Sequence, residues 1–463
     1  MDINSLDKIL IGEVWTSPDI YANLESLCDF GSRFAGTPSE RQARDFILDR
    51  FVVYGLLKAH LDPFTYVGWR RGICQAQLVA PRKLLLPSAQ SLVYSPGTPE
   101  GGLRSEVIDV GAGTKEEFAS QHAEIAGKVV LASSASSPEG QRIHRREKYG
   151  RAVEAGAVGF LFANHLPGML APTGSLRGGR MGEIPGLGLS YEDGFTLAHH
   201  CRQSQAVVEL HIQNETGPAE AWHVVGQVPG SKAGTAEEEV VVIGGHYDGH
   251  DIAQGAMDNA SGVAVLLELA RTFGPLRGQL PRTLRFIAFA VEELGVLGST
   301  EYVKKHLEDL GPVSFMLNLD ACVGPDPAEV TLNGFEDLRP LLQGFAADMR
   351  YQLSLNKQVV TASDNFPFVM QGIPATNLVR RGLDPRLGRG YGHTAADTFD
   401  KVSEVDLRES AMVAARLLLR VATHEGPLAQ RRSQDEVRNM LISQGLEEPL
   451  KAQGKWPFYP VNE

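Results

Sequence analysis

Two histidines and five acids in the second half of this 463-residue chain follow short apolar runs. His246 ends the run VVVIGG, with Asp248 two residues on and Asp258 beyond the next loop. Glu292 and Glu293 follow LRFIAFAV, Asp320 follows FMLNL, and His393 comes well after ATNLV, in GYGHTAADTFD. Imidazoles and carboxylates without a thiolate suit zinc or manganese, whereas an all-oxygen set would suit magnesium or calcium. The donors exceed what one tetrahedral ion needs. Two ions bridged by a shared carboxylate, roughly 3.5–4 Å apart, use them economically and activate a water. The acid left over is then a general base. The residues alone do not separate Glu292 from Glu293: one belongs on metal and the other faces substrate. Taken singly, each feature is ordinary, since MDNASG reads as a helix cap and EE as a solvated loop. Their joint occurrence, at successive strand ends and in this order, is what points to a hydrolytic metal centre.

The elements that must position these residues begin near Ala219. The apolar runs in WHVVGQVPG, EVVVIGG, TLRFIAFA, FMLNL and ATNLV read as strands. Between and after them NASGVAVLLELARTF, GSTEYVKKHL and SEVDLRESAMVAARLLLRVATH read as helices. Continuous apolar strands alternating with helices predict an α/β fold, a mostly parallel or mixed central sheet covered by helices. In such sheets function collects beyond the carboxyl ends of the strands. An earlier helix is expected in TPSERQARDFILDRFVVYGL, where Thr37 caps, Pro38 takes the first helical position and Glu40 completes a capping box. Between residues 86 and 217 the texture is β-rich, with no cluster of histidine and acids, which predicts an inserted domain. The expected organisation is a catalytic domain from 1–85 and 218–425, the insert at 86–217 and an extension at 426–463. The extension ends in KWPFYPVNE and must dock, stay mobile or serve as a homo-oligomer contact.

Composition bounds the partners. With 43% apolar and 22% charged residues the chain is of the soluble globular class. A net charge of −12 argues against nucleic acid and anionic membrane, which need basic surfaces. No apolar run approaches membrane-spanning length. The N-terminal MDINSLDKILIGEVW lacks an apolar core of signal length, and the 4 cysteines lie far apart without a CxxC pair. Both features predict reduced thiols in the cytoplasm.

Together, GGHYDGH, GAMDNASGVAVLLELAR, FIAFAVEELGVLGS, LNLDACVG, GHTAADTFDKV and the N-terminal GSRFAGTPSERQARDFI resemble zinc metallopeptidase family 28, the co-catalytic di-zinc aminopeptidases of clan MH. Less specifically, the insert resembles a protease-associated (PA) domain. The resemblance implies a di-zinc exopeptidase fold and two divalent ions, zinc first, with manganese or cobalt as alternatives. It implies His246 and Asp320 on one ion, Glu293 and His393 on the other, and Asp258 bridging. Glu292 is the implied general base, and Asp248 is implied to orient His246. The implied activity is metal-dependent hydrolysis of the amide bond of peptides or small N-acyl amino acids, aminopeptidase first. Carboxypeptidase, dipeptidase and small-amide hydrolase readings share the site. A scaffold without activity, or acyl transfer on one zinc as in glutaminyl cyclases, are readings of other classes. Two departures border the substrate pocket: Ser363-Asp364-Asn365 where many members have Ser-Asp-His, and Gly392 before the histidine where many have Tyr. Near His393, Arg380, Arg381, Arg386, Arg389 and Tyr391 could receive a substrate carboxylate, or could simply be solvated loop.

Overall fold

The apolar runs that end in site residues become neighbouring strands of one sheet. In the computed structural model, which describes residues 3–380 and 390–458, the chain divides into two units. The first comprises Met1–Tyr66, Glu220–Gly392 and Asp397–Gln444. Its sheet runs in the order Leu57–Arg70, Glu215–Val228, Thr283–Phe289, Val240–His246, Val313–Leu319, Ala375–Val379, Glu329–Thr331, Ser354–Asn356. The central four are parallel, with His246 opposite Phe289, Gly244 opposite Asn318, and Asn318 opposite Asn377. This register brings their carboxyl ends to one edge. Every residue of Val240–His246 is buried, as expected of a parallel strand covered on both faces.

Helices Ser261–Phe273 and Glu404–Thr423 bury most of their length. Two glycines allow the close approach at the sheet edge. A Cβ on Gly245 would meet the Leu319 carbonyl oxygen at 2.4 Å, and one on Gly262 would meet it at 2.3 Å. The first helix, Ile3–Thr16, is fastened to helix Glu404–Thr423 through buried Asp7, which accepts from Arg416 Nη2 at 2.7 Å and Arg420 Nη1 at 2.9 Å.

Helix Pro38–Val53 starts as its sequence predicts, with Thr37 Oγ1 accepting from the Glu40 amide at 3.3 Å. The expected reciprocal bond from the Glu40 side chain does not form. Glu40 is fully buried and its Oε1 accepts instead from Tyr247 Oη at 2.6 Å, tying this helix to the residue after His246. Burial pushes this carboxyl up to about 7, against the opposing bond from Tyr247.

The second unit comprises Val67–Ala219, His393–Ala396 and Gly445–Glu463. Its sheet runs Leu84–Leu85, Cys74–Ala80, Val207–Ile212, Leu103–Asp109, Val129–Ser133, Gly159–Ala163, Gly186–Leu189, Gln90–Ser91. Leu78, Leu131, Leu161, Leu187 and Val208 fill one of its cores. The end of the chain docks here. Helix Glu447–Ala452 packs on helix Arg145–Glu154, Arg177 Nη1 donates to the Ala452 carbonyl at 2.6 Å, and Trp456 is buried. Among the described residues no helix is long and apolar enough to cross a membrane.

Candidate metal centre

Two of the central strands, Thr283–Phe289 and Val313–Leu319, stop where the backbone turns left-handed beside a polar side chain. Val291, at φ 62°, precedes Glu292, and Ala321, at φ 51°, follows Asp320. A β-branched valine in that region is costly, and such strain is kept where the surrounding structure over-determines it. The turn at Val291 also replaces the extended geometry that would send Glu292 and Glu293 to opposite sides. Asp248 then holds the pair: its Oδ1 accepts from the Glu292 amide at 3.0 Å and its Oδ2 from the Glu293 amide at 3.1 Å.

His246 stands at the centre. Its Nδ1 lies 3.1 Å from the backbone carbonyl of Asp248 and 3.6 Å from the Asp248 carboxylate. The sequence reading gave the carboxylate the task of orienting this ring; here the nearer partner is the carbonyl, because the carboxylate faces the two glutamate amides. With Nδ1 facing that oxygen, the Nε2 lone pair is turned to the acids. Nε2 is 3.3 Å from Asp258 Oδ1 and 3.7 Å from Asp320 Oδ1. Donors about 2.0–2.2 Å from a tetrahedral ion lie roughly 3.3–3.6 Å apart, so this trio fits one shared cation. His246, Glu292 and Glu293 form a second such group, with ligand atoms within 4.8 Å of one another. Ser363 supports Asp320, donating to its Oδ2 at 2.5 Å while accepting from Asn318 Nδ2 at 2.7 Å.

The charge balance favours the same reading. Burial pushes the Glu292 carboxyl up to about 8; His246 opposes this, and Asp364 and Asp320 add to it. Burial, then Asp258 and Glu292, holds Glu293 well above the carboxylate range. Burial would keep His246 neutral, yet bonds to Asp248, Asp258 and Asp320 lift it well above its usual value. Both oxygens of buried Asp364 lack a hydrogen-bond donor, and burial pushes this acid up to about 7. So many buried acids clustered near His246 are short of positive charge. A bound divalent cation is the largest local charge a site can have, and it reverses the balance by stabilising the ionised forms.

Three residues that the sequence reading passed over build the loop. Arg33, from GSRFAG, is fully buried. Its Nε donates to Tyr247 O at 2.9 Å, Nη1 to Gln254 O at 2.5 Å and Nη2 to Gly255 O at 2.9 Å, with further bonds to Leu27 O and Gly31 O. Asp397 accepts from the Met257 and Asp258 amides at 2.7 and 3.1 Å. Asn259 joins two strand ends by donating to Leu319 O at 2.8 Å and His246 O at 3.2 Å. The segment carrying His246, Asp248 and Asp258 is thereby pinned from both sides. Arg33→Met leaves these carbonyls unpaired in the interior. It should cost at least about 3 kcal/mol, by the worth of several bonds to a charged group, and lower zinc uptake. Chemical denaturation and metal analysis check both; unchanged stability would refute the clamp.

His393 is grouped by packing with the second unit, where Thr173 N donates to its carbonyl at 2.9 Å and its Nδ1 lies 3.1 Å from Thr173 O. Arg380 is buried and its guanidinium serves the fold, donating to Asp326 O, Asp406 O and Glu409 Oε2 at 2.8–2.9 Å. Those bonds leave it no place as a carboxylate receptor. Arg381, Arg386 and Arg389 lie outside the described residues. Tyr391 is half-buried with Lys401 Nζ 5.1 Å above its ring. Asn365, where many family members have histidine, spends its amide internally, donating to Val360 O and accepting from Asn377 Nδ2.

Residues 223–418 match the model of peptidase family M28, and residues 89–197 match that of the PA domain. Aminopeptidase YwaD of Bacillus subtilis (strain 168) is 26% identical over 403 residues, covering 84% of this chain and 81% of the relative. Carboxypeptidase Q of Bos taurus is 26% identical over 415 residues, covering 85% and 83%. The crystal structure of BSAP, a zinc aminopeptidase from Bacillus subtilis, superposes with a TM-score of 0.66 at 25% identity, covering 89% of this chain and 96% of that one.

Proposed function

From a chain that belongs to peptidase family M28 and carries a PA domain, and is therefore a metallo-exopeptidase, we infer an aminopeptidase working through two divalent ions, zinc before manganese or cobalt. The observation that carries this reading is the spacing around His246 Nε2, 3.3 Å to Asp258 and 3.7 Å to Asp320, with two buried glutamates alongside. We assign His246 and Asp320 to one ion, Glu293 and His393 to the other, and Asp258 to both. At His393, the contact of Nδ1 with Thr173 O supports Nε2 as the ligating atom. Bound there, the ions polarise the scissile carbonyl and lower the pKa of the attacking water.

The remaining work is done by the chain. Glu292 takes the proton of the attacking water and delivers it to the leaving nitrogen. Asp248 fixes the backbone from which both glutamates project, so neither drifts as charge develops.

The surplus of buried acid favours a substrate that presents an ammonium over one that presents a carboxylate, and Arg380 is already engaged. The likeness to carboxypeptidase Q supports the opposite polarity as the second reading. A panel of dipeptides with one end blocked separates them. The aminopeptidase reading expects cleavage of C-terminal amides and none of N-acetyl dipeptides. Cleavage of N-acetyl dipeptides, lost on C-terminal amidation, would establish the carboxypeptidase instead.

A further inference from the structure

His250, in the loop between Asp248 and Asp258, belongs to none of the roles assigned above. It is 4% exposed, and its Nε2 lies 2.7 Å from Glu293 Oε2. That distance decides what it does. Two donors on one tetrahedral ion stand roughly 3.3–3.6 Å apart, as His246 and Asp258 do, whereas a charge-assisted N–H···O⁻ bond spans about 2.7–2.9 Å. The His250–Glu293 contact is a hydrogen bond, too short for two ligands of a common ion.

We propose that His250 is a positioning residue for Glu293, its ring N–H holding one carboxylate oxygen so that the other is presented to the ion. The proposal rests on the assignment of Glu293 as a metal ligand. Carboxylate ligands are themselves held by hydrogen bonds, and removing such an outer partner typically weakens metal binding about 10–100-fold. The loop is built to hold the ring still. Arg33 clamps the backbone carbonyls on either side of it, at Tyr247 and at Gln254 and Gly255, and the Gly249 amide donates to Arg33 O at 3.2 Å. An imidazole is a stiff donor: once its loop is pinned, only two side-chain torsions remain to be ordered. Its bond also keeps a buried glutamate in one rotamer where Asp258 and Glu292 repel it.

The test is zinc titration of the full chain and of His250→Phe and His250→Gln, together with the electronic spectrum of each loaded with Co(II). The phenylalanine removes the donor and keeps the volume; the glutamine keeps an N–H. We expect His250→Phe to lose about 10–100-fold in affinity for the weaker-held ion and to alter the Co(II) bands. His250→Gln should recover most of the affinity and a near-native spectrum. Wild-type affinity and spectrum in His250→Phe would overturn the proposal. So would His250→Gln failing as fully as His250→Phe, because that marks His250 as a ligand in its own right. A wild-type chain that takes up no metal would remove the reading of the site itself, which is a separate failure. Should His250→Phe not fold, His250→Ser against His250→Gln makes the same comparison.

Discussion

Glu292→Gln lowers kcat by about 10³-fold, within the range for loss of a general acid–base group, and leaves metal content unchanged. The substitution is isosteric and keeps the hydrogen-bonding shape of the side chain, but the amide neither accepts nor returns a proton. The backbone of residue 292 is held independently through its amide on Asp248 Oδ1, so the turn survives the change. The contacts of His246 Nε2 with Asp258 and Asp320 do not run through the Glu292 side chain, so their mutual spacing is kept. Metal analysis beside steady-state kinetics separates chemistry from binding. Normal turnover at full metal content would pass the role of base to another group, with Glu293 the first to examine.

Stripping divalent metal with a chelator abolishes turnover and destabilises the fold together. The second effect follows from the buried acids. Without cations, Glu292, Glu293 and Asp364 meet low dielectric and one another's charge with His246 as the opposing group. A site loaded at a thousand times its Kd contributes about 4.1 kcal/mol to stability, so bound divalent metal raises the melting temperature well above that of the stripped protein. Calorimetry before and after chelation reads this, and added zinc should restore both activity and melting temperature. Peptide hydrolysis continuing at full rate in metal-free protein would defeat the assignment.

What the sequence made legible was whatever local pattern alone decides. The apolar runs at Val240–Ile243, Leu284–Ala290 and Phe315–Leu319 are broken only by Arg285 and Asn318 because both faces of their strands are covered, and that near-continuity marks a parallel sheet before any pairing is known. Polar residues at strand ends then locate a site edge, since nothing in the core requires them. Partnerships across long sequence distances were not legible. Glu40 reads as a cap partner by its three-residue spacing from Thr37, yet a burial decided by the neighbouring strand sends its carboxylate to Tyr247. Arg33 sits in a glycine-flanked loop that looks solvated, and no local rule aims a guanidinium at carbonyls more than two hundred residues on. His250 was hidden for a related reason: in GGHYDGHD two histidines share one loop, and spacing cannot say which meets a carboxylate. Asp248 shows a finer limit. The pattern placed it beside His246, but only the turn at Val291 brings the Glu292 and Glu293 amides within its reach.

The clamp on the loop that carries His246 and Asp258 draws on both ends of the chain, Arg33 near the beginning and Asp397 near the close. While the polypeptide is being synthesised, the later half of that clamp does not exist until most of the protein has left the ribosome. A nascent chain halted before Asp397 would already hold many of the acids yet lack the anchor for the Met257 and Asp258 amides. The loop that carries His246 and Asp258 therefore reaches its full set of anchors only once residue 397 has been made.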